Sequence, residues 1–122
     1  MMKGIVTERE PVMRLIVEGP GGKREIEAVV DTGYTGSLTL PPDTIAELNL
    51  RTLRQSRALL ADGSEITFDV YEAAVEWQGH RQRVVVDEAD TTPLIGMGLL
   101  EGCELHVEVR EGGRVTAEVL PA

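Results

Sequence analysis

The sequence predicts an all-β domain, a barrel or sandwich of many short strands with two brief helices. Three observations carry this. Apolar residues recur at every second position along most of the chain, the period of a strand with one buried face. Glycine- and proline-containing turns punctuate those runs, with 13 Gly and 6 Pro among 122 residues. Aromatic residues make up only 3%, so the core has to be assembled from the Val, Leu, Ile and Ala at the alternating positions.

Taken in order, Met13, Leu15 and Val17 share one face of a first strand. Gly19-Pro20-Gly21-Gly22 turns the chain, and Ile26, Ala28 and Val30 share a face of the returning strand. After Thr32-Gly33-Tyr34-Thr35-Gly36, residues 37–40 read as a short apolar strand. Pro41-Pro42-Asp43 opens a helix with Ile45 and Leu48 one turn apart and Asn49 as its stop. A strand up to about Leu60 meets the turn Ala61-Asp62-Gly63-Ser64, and a long strand follows from Ile66 to Trp77. Its apolar parity slips between Val70 and Tyr71, which predicts either a bulge or a strand passing from one layer to another. Gln78-Gly79 turns it back towards Val84 and Val86. Leu94-Ile95-Gly96 forms another short strand, followed by a helical turn over residues 97–101 that Gly102 caps. The chain ends in a hairpin, with Leu105, Val107 and Val109 pairing through Gly112-Gly113 with Val115, Ala117 and Val119. Each half thus reads as hairpin, short apolar strand, short helix.

Length suits one domain over residues 1–122, with its core between about residues 13 and 119. Twelve basic against 21 acidic residues give a formal charge of −9, which repels phosphate backbones and anionic lipid. Neither nucleic acid nor a membrane is expected as a partner. The single cysteine, Cys103, excludes an internal disulfide and fits a reducing compartment. Residues 1–10 lack the apolar stretch of a secretion signal, and no apolar run approaches the roughly 20 residues of a membrane span. The expectation is a soluble cytoplasmic protein.

Ala28-Val29-Val30-Asp31-Thr32-Gly33 stands apart, because an apolar strand end delivers a carboxylate, a hydroxyl and a glycine in succession. Asp31 follows two valines, so it leaves a buried strand, and apolar surroundings disfavour the ionised form. Thr32 can hold the turn through backbone hydrogen bonds. Gly33 permits a positive φ or the close approach of another chain. Alone, the tripeptide also fits a plain surface turn.

About sixty residues further on stands Thr92-Pro93-Leu94-Ile95-Gly96-Met97-Gly98-Leu99-Leu100, with the glycine-tipped hairpin Leu59-Leu60-Ala61-Asp62-Gly63-Ser64 in between. In that order the sequence resembles the retropepsin-like aspartic peptidases of clan AA, and among them the single-domain bacterial and archaeal type. The resemblance spans about residues 13–119 and implies a closed acid-protease barrel with one or two short helices. Since only one Asp-Thr-Gly occurs, it implies a homodimer in which Asp31 of each subunit meets at the two-fold axis. Two carboxylates about 4 Å apart repel by roughly 4 kcal/mol at an effective dielectric near 20, about three pK units, so the pair holds one proton over a wide pH range. Such a dyad activates a water for attack on a peptide bond and needs neither metal nor cofactor. By the same resemblance Thr32 bonds across the axis and Gly33 leaves room for the substrate backbone. Ala61, Asp62, Gly63 and Ser64 form the flap tip over a peptide or protein substrate, and Leu94-Ile95-Gly96 packs behind the active-site loop.

Tyr34 follows Gly33 where that family has a small residue, and Thr35 stands in place of a second aspartate. Met97 and Gly98 stand in place of an arginine and an acid or amide. The aspartate and arginine normally pair, and here both are missing together, which leaves no orphaned charge. A non-catalytic dimerisation or peptide-binding module on the same fold is the alternative.

Other candidates read as structural. Cys103 has core parity, while His106, three residues away on a strand, has solvent parity, so the two do not share a metal. His80 lies in a polar turn, and Asp87, Glu88 and Asp90 read as a solvated acidic loop. Apolar residues near Leu40, Leu60 and Ile95 are candidate liners of the substrate pockets.

Overall fold

Alternation and turn chemistry act together through a chain whose computed structural model describes residues 1–122. The elements are β1 (Met2–Thr7), β2 (Glu10–Gly19), β3 (Gly22–Val30), β4 (Leu38–Leu40), α1 (Pro42–Glu47), β5 (Arg51–Leu59), β6 (Glu65–Trp77), β7 (His80–Glu88), β8 (Leu94–Ile95), α2 (Met97–Leu100), β9 (Cys103–Val107) and β10 (Arg114–Val119). In β2 and β3 the residues expected to share a face are all buried: Met13, Leu15 and Val17 against Ile26, Ala28 and Val30. Gly19 pairs with Gly22, so Pro20 and Gly21 alone make the turn.

The strands form one sheet in the order β5-β6-β7-β4-β8-β3-β2-β1-β10-β9, with a further pairing of β6 to β2. That pairing joins Val17 to Val75 and Glu18 to Ala74, which closes the run from β6 through β2 into a barrel. It also explains the parity slip. β6 leaves β5 at Glu72 and meets β2 at Ala74, so Ala73, Ala74 and Val75 are buried in succession on a strand covered from both faces. The register shift lies on the partner strand instead, between Thr52 and Arg54.

The core is the aliphatic cluster that the composition requires, with Met13, Leu38, Leu40 and Ile95 fully buried and Trp77 its only buried aromatic residue. Leu40 and Ile95 therefore line no substrate pocket; both are spent on the barrel interior. α1 starts at Pro42 and ends before Asn49, whose positive φ stops it. No helix is long and apolar enough to cross a membrane.

Two segments differ from expectation. β1 is a strand that alternation did not reveal, because Gly4 occupies an inward position where a Cβ would strike the Val12 carbonyl. Its turn into β2 uses Glu8 and Arg9 in the left-handed region, φ 52° and 65°, rather than the glycine or asparagine that marks such turns. The terminal hairpin is also shorter than alternation suggests. Its ladder stops at Val107 and Val115, residues 108–113 form a wider loop, and Val109 is 79% exposed. Glu108 holds that loop, accepting hydrogen bonds from the Arg114 amide and guanidinium.

Candidate active site

β3 carries Asp31 to its position. Val29 and Val30 pair in parallel with Leu94 and Ile95 of β8, and one residue later the Asp31 amide donates to the Ile95 carbonyl at 2.9 Å. Leu94-Ile95-Gly96 thus lies directly beside the loop. Asp31 is half-buried, and its Oδ1 accepts a 2.9 Å hydrogen bond from the Gly33 amide, which fixes the carboxylate and leaves Oδ2 free. Gly33 does not use a positive φ. Its contribution is space: an added Cβ would meet only Asp31 Oδ1, at 3.3 Å. Thr32 is exposed beside it.

Tyr34 locks the loop from below. Its amide donates to the Asp31 carbonyl at 3.2 Å, and its carbonyl accepts from the Met97 amide at 2.8 Å. Its hydroxyl crosses to β7 and donates to Asp87 Oδ2 at 2.6 Å. Burial first, and then the Asp87 carboxylate, raise the phenol well above its ordinary pKa, so it remains a neutral donor. Gly36 and Gly96 make room for this side chain, since a Cβ on either would collide with the Tyr34 ring. The Gly96 amide donates to the Ser37 carbonyl and the Gly98 amide to Gly36, completing the lacing of the two segments. Asp87 is accordingly not part of a solvated loop but the half-buried anchor of Tyr34, a role that no local pattern announces.

Asp31 and Thr32 open onto a groove of about 510 Å³ that Pro11, Leu94, Val107 and the exposed Arg9 also line. Arg9 makes no ion pair within the chain and stands on the strained turn, which sequence reasoning passed over for want of a turn residue. A second groove of about 580 Å³ runs beneath, lined by Thr32, Thr35, Met97, Cys103 and Leu105. Thr32 and Leu105 belong to both. Cys103 is half-buried against the core rather than inside it, and His106 is exposed.

Residues 61–64 form the tip of the β5–β6 hairpin. Asp62 accepts from the Ser64 amide at 2.9 Å and the Ser64 hydroxyl at 2.5 Å, and Gly63 supplies a φ of 86°. Leu59, Leu60 and Ile66 around it are exposed, and no residue of the hairpin lines either groove. Within one chain, then, Asp31, Thr32 and Gly33 come together, while Ala61, Asp62, Gly63 and Ser64 stand clear of them.

No protein-family model and no curated protein matches the sequence. Solved structures do match. EIAV protease complexed with the inhibitor HBY-793 superposes with a TM-score of 0.58 at 16% identity, over 79% of this chain and 92% of its own. A retropepsin-like aspartic protease from Rickettsia conorii superposes with a TM-score of 0.60 at 12% identity, over 98% of this chain and 92% of its own. The chain has a retropepsin-like, all-β protease fold.

Proposed function

We propose that the chain is a homodimeric aspartic endopeptidase in which two Asp31 carboxylates, one from each subunit, activate the water that hydrolyses a peptide bond. The observation that carries this is the placement of Asp31 in this fold: at a strand end, on the rim of a groove, one oxygen held by the Gly33 amide and the other free. One chain supplies one carboxylate, so the division of labour requires a second copy. Mutual repulsion keeps a single proton on the pair. The ionised member takes a proton from the bound water as it attacks the scissile carbonyl, and the protonated member donates to the carbonyl oxygen. Breakdown of the tetrahedral intermediate returns a proton to the leaving amine, with no covalent enzyme intermediate. Thr32, at the meeting of the two grooves, faces the partner; Gly33 admits the substrate backbone; residues 61–64 close over it.

The test is cleavage of a diverse peptide mixture, read by mass spectrometry between about pH 4 and 7, with Asp31→Asn alongside. Asparagine keeps the shape and removes the titrating pair. Cuts made by the wild type and lost in Asp31→Asn are expected. A dimer that makes no cuts favours the second reading, a dimerisation or peptide-binding module. The clearance of the hairpin from the groove is the observation that speaks for it.

A further inference from the structure

Only two polar side chains are buried, those of Thr39 and Thr44, and Thr44 belongs to α1. Thr39 is therefore the one buried hydroxyl of the sheet. It stands between Leu38 and Leu40 on β4, in register with Asp87 of β7 and Leu94 of β8. Its hydroxyl bonds the Tyr34 phenol oxygen, which in turn donates to Asp87 Oδ2 at 2.6 Å. A buried polar network is costly unless its members are satisfied, and once satisfied it fixes one arrangement. This one joins the Asp31 loop, β4 and β7.

The bonds around Asp31 leave a specific task for it. The Tyr34 amide closes the turn onto the Asp31 carbonyl at 3.2 Å, and inside that turn the Gly33 amide holds Asp31 Oδ1 at 2.9 Å. The carboxylate therefore moves with the turn. The main-chain bonds that attach this loop join Asp31 to Ile95, Ser37 to Gly96, Tyr34 to Met97 and Gly36 to Gly98, all within residues 95–98. Attachment to one short segment leaves the turn free to swing about the line of that segment. Thr35 and Met97 bring no ion pair to stop it. The Tyr34 hydroxyl reaches off that line, to a carboxylate on β7, and a charge-assisted bond there removes the swing. We propose that Tyr34, held by Asp87 and Thr39, is a positioning residue for the Asp31 carboxylate, fixing where it stands relative to its copy. This rests on the Asp31-pair reading, in which the spacing of the two carboxylates governs both their shared proton and their reach to the water.

The test compares Tyr34→Phe and Asp87→Leu with Asp87→Asn, which keeps an oxygen to accept from the Tyr34 hydroxyl. Ile45→Val, which removes one buried methylene at α1, controls for a comparable loss of stability. The substrate is a peptide cut by the wild type and spared by Asp31→Asn, and rates are taken well below each unfolding midpoint. Tyr34→Phe and Asp87→Leu are expected to lower kcat about tenfold with KM unchanged, to do no more when combined, and to speed exchange of the Gly33 amide. Asp87→Asn recovers most of kcat, and Ile45→Val keeps it. An unchanged kcat in Tyr34→Phe overturns the proposal while the Asp31 pair stands, because the network then serves stability alone. A raised KM with kcat held also overturns it, assigning Tyr34 to substrate binding. If no cut depends on Asp31, that reading fails and Gly33 exchange decides the positioning role by itself. Faster exchange in Tyr34→Phe and Asp87→Leu alone upholds it; equal exchange in all four variants overturns it.

Discussion

The Asp31 loop and the Gly63 hairpin are both glycine-bearing turns between strands, but their glycines answer different needs. In the loop, Gly36 and Gly96 are required by space: the Tyr34 ring and neighbouring backbone fill the volume where a Cβ would stand. Amide-to-carbonyl bonds from Asp31 to Ile95, from Met97 to Tyr34 and from Gly98 to Gly36 tie the loop to a second segment, and Tyr34 reaches a third at Asp87. In the hairpin, Gly63 is required by its φ of 86°, and nothing lies within 4 Å of where its Cβ would be. The bonds at its tip are local, Leu60 with Ser64 and Gly63 with Leu60. On the proposed function, a carboxylate that meets its copy across a dimer axis needs the first kind of turn. On the same reading, a segment that admits substrate and closes needs the second, whose bonds are local.

The contrast is sharpest at its glycines. Gly96→Ala forces a methyl into the Gly36 carbonyl and the Tyr34 ring and should cost about 3 kcal/mol by urea unfolding, at the upper end for overpacking. Tyr34→Phe keeps the packing but strips Asp87 of its donor, with an expected loss of about 1.5 kcal/mol. Gly63→Ala adds a methyl to open space and should cost about 1 kcal/mol, the strain of a left-handed residue alone. Equal losses from Gly96→Ala and Gly63→Ala would break the distinction. The smallest effect is a titration. Hydrogen bonds from the Ser64 hydroxyl and then its amide hold Asp62 below the ordinary carboxylate value of 3.8. A depressed folded pKa means the tip interaction is complete above 3.8 and is lost as pH falls through the lower value. An NMR titration of the Asp62 carboxyl should show that depressed midpoint, and Ser64→Ala should move it back towards 3.8 with the global unfolding midpoint unchanged.

Much of this was legible in advance. The faces of β2 and β3, the Gln78-Gly79 turn and the α1 stop at Asn49 are all local signals, while the placing of Leu94-Ile95-Gly96 behind the Asp31 loop came from the family resemblance. What escaped reading did so for identifiable reasons. β1 was masked by Gly4 at an inward-facing, half-buried position and by a turn made of Glu8 and Arg9. Asp87 looked solvated because its partner lies 53 residues earlier. Leu40 and Ile95 looked free to line a pocket because apolar character does not say which side of a barrel wall a residue faces.

The sequence by itself determined the order of strands and turns, the aliphatic core and the delivery of a single Asp31 at the end of an apolar strand. These follow from the pleat of a strand and the backbone demands of a turn, which act over a few residues. Tertiary structure alone decided that β6 closes on β2, that Tyr34 is anchored by Asp87, that Arg9 shares the groove of Asp31, and that β9 is left with an open edge. Those contacts join segments far apart in the chain. The partner of each is fixed only when the barrel closes and the remaining edges are counted.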